Sequence, residues 1–62
     1  MNTTPSNLSA IQLHDTWAVE DSDGGIWHPD SETASVIEAS ADPAAEAVMI
    51  CDSEPMRGTW AQ

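Results

Sequence analysis

The sequence predicts a small α+β domain, in which a three-stranded antiparallel sheet packs on one or two short helices in the order strand, strand, helix, helix, strand. Two observations predict this class. Apolar and polar residues alternate on either side of an acidic, glycine-containing turn, as in a hairpin, and two later segments each begin with a helix-capping residue. The chain has 62 residues, which is enough for one domain with a single core.

The beginning of the chain differs in composition from the remainder. Residues 1–14 contain no acid or base apart from His14, whereas all eleven acids fall between Asp15 and Glu54. We therefore expect a flexible lead-in over residues 1–12, with Leu8 and Ile11 docking on the core, and a single domain over residues 13–62.

A hairpin is predicted from residue 13 to residue 28. Leu13, Trp17 and Val19 would share the buried face of the first strand. The segment 21–25, Asp-Ser-Asp-Gly-Gly, is rich in residues that favour tight turns, and Ile-Trp-His at 26–28 forms the returning strand before a proline stops pairing.

The three tryptophans are expected to provide most of the bulk of the core, because the chain has no phenylalanine or tyrosine. Strand alternation lets only one of Ile26 and Trp27 face inward. We expect Trp27 to be the most exposed of the three.

A first helix is predicted after Pro29. Asp30 or Ser31 would cap it, and Ala34, Ile37 and Ala41 would share its buried side. A strand over residues 33–37 is the alternative, and the capping pattern favours the helix.

A second helix is predicted from Asp42, an N-cap that is followed by a first-turn proline. Its buried stripe would comprise Ala44, Ala47, Val48 and Cys51, and the helix would end at Glu54-Pro55. The last strand is expected over residues 56–60, with Met56, Gly58 and Trp60 facing inward.

The charge of the chain excludes several classes of function. Eleven acids face one base, Arg57, and the formal net charge is −10. The chain therefore has too few cations to neutralise phosphates, so direct binding of nucleic acid or of an anionic membrane is not expected. Cys51 is the lone cysteine and no apolar segment is long enough to span a membrane, which favours the reducing cytoplasm.

Catalytic and metal-binding patterns are also missing. His14, His28 and Cys51 lack the short paired spacings of zinc sites, and no nucleophile motif surrounds the cysteine. The turn that begins at Asp21 lacks the ligand pattern of a calcium-binding EF-hand loop. We expect no enzyme activity, no metal and no cofactor.

The acids are the feature that remains, and they predict a basic protein surface as the partner. Glu38, Asp42 and Glu46 recur every four residues, although Pro43 is expected to divide the row between two helices. The candidate partner-binding residues are Glu20, Asp21, Asp23, Asp30, Glu32, Glu38, Asp42 and Glu46.

In its size, its acidity and its mixed α/β pattern the chain resembles the small phage-encoded anti-CRISPR proteins directed at type I systems. The resemblance implies a monomeric inhibitor in the bacterial cytoplasm that mimics DNA, binds the Cascade complex and blocks either target binding or recruitment of its nuclease-helicase. Exposed apolar groups such as Trp27 or Met56 would then supply a hot spot. The same acids are compatible with an inhibitor of another basic host machine, such as RNA polymerase or a restriction enzyme, and with a salt-adapted structural domain.

Overall fold

Four antiparallel strands form one sheet, and two helices pack on one of its faces. The computed structural model describes residues 7–61. The strands lie side by side in chain order, and both helices are inserted between the third and the fourth strand. The elements are β1 (Ser9–Leu13), β2 (Thr16–Glu20), β3 (Ile26–Pro29), α1 (Ser31–Ala39), α2 (Pro43–Ser53), a 3₁₀ turn (Pro55–Arg57) and β4 (Gly58–Ala61).

The α+β class is confirmed, but the predicted count of three strands is wrong because β1 adds a fourth. Most of β1 comes from residues that were assigned to the lead-in, and residues 1–6 lie outside the described part of the chain. A two-residue turn, His14-Asp15, joins β1 to β2, and His14 adopts a positive φ of 58° there. The Thr16 hydroxyl donates to the Leu13 carbonyl at 3.0 Å and closes this turn.

Cross-strand register assigns each strand residue to one face of the sheet. Ala10, Val19, Trp27 and Trp60 are successive partners across the four strands, so their side chains share a face. Val19 and Trp27 belong to the buried core cluster, which identifies this face as the one that the helices cover. Leu13 pairs with Thr16 on the opposite face, so its predicted position beside Trp17 and Val19 is wrong.

Trp27 is fully buried, at 0% exposure, so the prediction that it is the most exposed tryptophan is wrong. Its partner across the hairpin is Val19, and this register turns the indole inward and Ile26 outward. The indole Nε1–H donates to the Pro55 carbonyl at 2.9 Å. Trp27 thereby holds the turn that precedes β4, and Gly58 lies directly against its ring.

The C-terminal segment differs from the expected strand. Met56 lies in the 3₁₀ turn and is 80% exposed, so its predicted inward position is wrong. Trp60 shares the helix side of the sheet with Trp27, yet it is 41% exposed. The helices pack mainly on β1, β2 and β3, and β4 contacts chiefly β3 and the 3₁₀ turn. Trp60 therefore lies at the rim of the helical layer.

The helix predicted after Pro29 is confirmed against the strand alternative, and it spans Ser31–Ala39. Asp30 is its N-cap, and a carboxylate oxygen of Asp30 accepts the Thr33 N–H at 2.9 Å. Thr33 and Ile37 are buried, whereas Ala41 lies beyond the helix and is exposed. The cap therefore starts α1 one turn before its buried residues.

The second helix begins as predicted, with Asp42 as N-cap and Pro43 in the first turn. The Asp42 carboxylate accepts the Ala45 N–H at 3.4 Å, a long bond. Ala47, Ile50 and Cys51 are buried, and Ala44 and Val48 are half-buried. Val48 packs against the core cluster, so the predicted stripe is correct except that Ile50 was missed.

Candidate interaction surface

The acids are distributed unevenly over the fold. Seven of the eleven lie between residues 30 and 54, in the segment that forms the helical layer and its caps. Three more are at residues 20–23, where β2 ends and the hairpin loop begins, and Asp15 lies in the turn between β1 and β2. The sequence-predicted set thus divides into a helical group, Asp30, Glu32, Glu38, Asp42 and Glu46, and a hairpin group, Glu20, Asp21 and Asp23.

Glu38, Asp42 and Glu46 do not form one helical row. Glu38 belongs to the last turn of α1, Asp42 caps α2, and Glu46 lies in the first turn of α2. Glu38 also lines a small groove with Thr16 and Trp17 between the sheet and α1. Because the chain leaves the helical conformation between α1 and α2, the three acids do not line up along one helix, as expected from Pro43.

In the part of the chain that the structure describes, almost none of this charge is neutralised by ion pairing. Within residues 7–61 the one salt bridge joins Arg57 to Glu54, at 3.1 Å, and both side chains are exposed. The other ten carboxylates have no cationic partner in that range. The Thr33 N–H lowers the pKa of the Asp30 carboxyl, with a smaller contribution from the charge of Arg57, so Asp30 is protonated at a lower pH than an ordinary aspartate.

The net charge of the protein can be compared with the charge of a DNA segment as long as the protein. Its long axis measures 33 Å. A DNA duplex of that length carries about twenty phosphates, and one strand about ten, at roughly 3.4 Å per phosphate. A net charge of −10 therefore equals that of one strand over the length of the protein.

The outer face of the sheet, on the side away from the helices, is nearly free of charge. Strand alternation places Ile11, Leu13, Ala18 and Ile26 there, and Glu20 is the one acid that a strand contributes to it. Ala18 is 1% exposed, yet it lies outside the core cluster that the helices cover, which supports its position on this face. Apart from Glu20, the carboxylates thus lie in the helical layer and the loops, and the outer sheet face combines apolar residues with polar residues such as His28 and Thr59.

The hairpin loop is built around the side chain of Asp21. Its Oδ1 accepts the N–H groups of Asp23 and Gly25, both at 2.9 Å, and its backbone N–H donates to the Gly25 carbonyl at 3.0 Å. Gly24 has a φ of 88°, which the loop requires and which a side chain would strain. Asp21 is therefore a structural residue of the loop as well as a charged one.

Cys51 and the two histidines are not brought together. Cys51 is buried in the core, His28 lies on the outer face of the sheet, and His14 is exposed in the first turn. Burial, with smaller contributions from the nearby carboxylates of Asp52 and Asp21, raises the pKa of the Cys51 thiol to about 11. Such a thiol stays protonated and is a poor nucleophile at neutral pH.

The part of the chain that the structure describes contains no group of three or more histidine, cysteine, aspartate or glutamate side chains arranged to hold a metal ion. Within residues 7–61, neither helix has the length and apolar character needed to cross a membrane.

No protein-family model matches this chain, and no curated protein or solved structure matches it significantly.

Proposed function

We propose that this protein is a non-catalytic inhibitor that mimics the charge of nucleic acid and occupies the DNA-recognition surface of a basic protein assembly. The uneven placement of its unneutralised carboxylates carries the proposal. Of the ten acids without a salt bridge in residues 7–61, nine lie in the helical layer and the loops, and one, Glu20, lies on the outer sheet face.

The cost of this arrangement supports a partner. A chain of 62 residues buries only about 60% of its unfolded surface, and ten like charges in excess oppose its compact state. A cationic groove that binds only the folded protein stabilises it and relieves the repulsion. Association driven by such charge is fast at low salt and slows as salt screens it.

The target that the resemblance implies is the Cascade complex of a type I CRISPR system, whose DNA-binding surface must be basic to hold a polyanion. Bound there, the protein would compete with target DNA as one inhibitor per site. The protein carries about as much negative charge over its 33 Å length as one DNA strand does, which is what a competitor for a DNA-binding surface needs.

The test is a binding measurement with purified Cascade between 50 and 300 mM salt, together with competition against target DNA. We expect affinity to fall by about tenfold or more over this range, because the Debye length shortens as salt rises. Unchanged affinity would remove the electrostatic premise. An absence of binding at the lowest salt would contradict Cascade as the target.

Two matched double variants test whether the helical layer is the binding face. Glu32→Gln with Glu38→Gln removes two charges from α1, whereas Asp15→Asn with Glu20→Gln removes one charge from the β1–β2 turn and one from the outer sheet face. Both doubles change the net charge equally. We expect the α1 double to weaken inhibition more, and equal losses would mean that net charge alone matters, against an oriented mimic.

A further inference from the structure

A groove of about 260 Å³ opens at the rim of the helical layer, beside edge strand β4. Asp21, Gly25, Trp60 and Ala61 line it, and we call it the Trp60–Asp21 groove. It is distinct from the acidic helical layer, because its walls are an indole ring, a single carboxylate and backbone. Residues far apart in the sequence meet here through the pairing of β3 with β4.

The two walls differ in how they are held. Asp21 Oδ1 accepts two backbone N–H groups of the loop, whereas Oδ2 accepts no hydrogen bond from residues 7–61. The carboxylate is therefore fixed in orientation by one oxygen and keeps the other free. Trp60 is held by its strand, and its side chain is 41% exposed.

Gly25 forms the floor between these walls. A Cβ built on Gly25 would lie 3.4 Å from both carboxylate oxygens of Asp21 and 3.4 Å from Cε3 of Trp60. The carboxylate and the indole therefore lie on two sides of the groove and are separated by at most twice 3.4 Å. A planar cation placed in this space would contact the ring and the free oxygen together.

We propose that the Trp60–Asp21 groove binds the guanidinium group of an arginine side chain presented by a protein partner. A guanidinium stacks on an indole face and donates to a carboxylate from its edge, so both walls favour the same ligand. A neutral apolar side chain would leave the free Asp21 oxygen without a partner and partly shielded from water. The one arginine of this chain is already paired with Glu54.

Recognition of one cationic side chain by this groove does not depend on the identity of the target. It is tested on the isolated protein with N-acetyl-arginine-methylamide as the probe, and the indole N–H resonances are followed by NMR. Trp27 is fully buried and serves as the internal reference. We expect saturable shifts of the Trp60 resonance at millimolar probe, with Trp27 unmoved, and much weaker shifts with the neutral citrulline analogue.

Matched variants separate the groove from the general negative field. Asp21→Asn keeps an oxygen for the two loop N–H groups but removes the charge, and we expect at least about fivefold weaker binding. Asp23→Asn removes one charge from the same loop outside the groove, and we expect less than about a twofold change. Equal effects of these two variants, or equal binding of the citrulline analogue, would overturn the proposal.

Gly25→Ala provides a second test that leaves both walls intact. Its methyl group would fit at ordinary contact distances while occupying the floor of the groove. We expect the probe to lose most of its affinity although the protein stays folded. Binding to a folded Gly25→Ala variant at the original affinity would also overturn the proposal.

Discussion

Replacing Gly58 with alanine tests how closely β4 packs on the buried tryptophan. A Cβ at this position would lie 2.5 Å from the His28 carbonyl oxygen, 2.5 Å from Trp27 Cε2 and 2.7 Å from Trp27 Cζ2. Its φ of −161° is ordinary extended backbone, so the cost is steric and not conformational. Neither neighbour yields easily, since one is backbone and the other is an indole held by the Pro55 carbonyl.

The expected cost lies near the upper end of the range for overpacking, at about 3 kcal/mol. Folded domains have roughly 0.05–0.15 kcal/mol of stability per residue, so the wild-type chain is expected to have about 3–9 kcal/mol. For a domain of this size each kcal/mol shifts the Tm by about 4–8 °C. Gly58→Ala should therefore lower the Tm by about 12–24 °C, or prevent folding.

Thermal and urea unfolding, followed by circular dichroism and tryptophan fluorescence, measure the effect. Gly25→Ala is the matched control, because the same change there meets neighbours at 3.4 Å and the φ of Gly25 is not positive. The control should stay within about 1 kcal/mol of wild type. Similar melting of the two variants would refute the close approach of β4 to Trp27.

The two helix caps and the buried cysteine each have a measurable effect on stability or reactivity. Asp42→Ala should destabilise by only about 0.5 kcal/mol in urea unfolding, the low end for N-caps, because the capping bond is long and exposed; a loss above about 2 kcal/mol would contradict that geometry. The pKa of the Asp30 carboxyl is below 3.8 in the folded protein, so its ionised form stabilises the fold above pH 3.8. This stabilisation is lost as the pH falls further. Wild type should therefore lose more stability on acidification than Asp30→Asn, and parallel pH profiles would oppose this. Cys51 should react with a thiol reagent at pH 8 only after unfolding, and rapid labelling of the native protein would contradict its burial. Because the folded thiol binds its proton more tightly than the unfolded one, the stability that this proton contributes should be lost as pH rises from 9 to 11.

Local patterns predicted the hairpin and both helices, because each depends on residues close together in the chain. Asp30 and Asp42 identify the helix starts through bonds to N–H groups three residues ahead. β1 was missed because its turn places His14 in the left-handed region, where glycine or asparagine is the usual signal. Its segment also contains little apolar alternation beyond Ile11 and Leu13.

The orientation of Trp27 and the position of Trp60 depend on long-range pairing that composition does not specify. Either Ile26 or Trp27 satisfies strand alternation, and the register with Val19 decides between them. The sequence shows where the acids lie along the chain. Predicting that most of the outer sheet face lacks them would also have required the correct assignment of β1 and β2. The meeting of Asp21 with Trp60 has no signal in the sequence, since it arises where β4 extends past the helices.

The separation of carboxylates from the outer sheet face gives the molecule an electric dipole that runs across the sheet. In the field of a cationic surface the protein should turn before contact and arrive with α1 and α2 leading. The exposed Thr59 then faces bulk solvent on the trailing side. A fluorophore or an immobilising tether attached at Thr59 would therefore report binding to the partner without blocking the binding face.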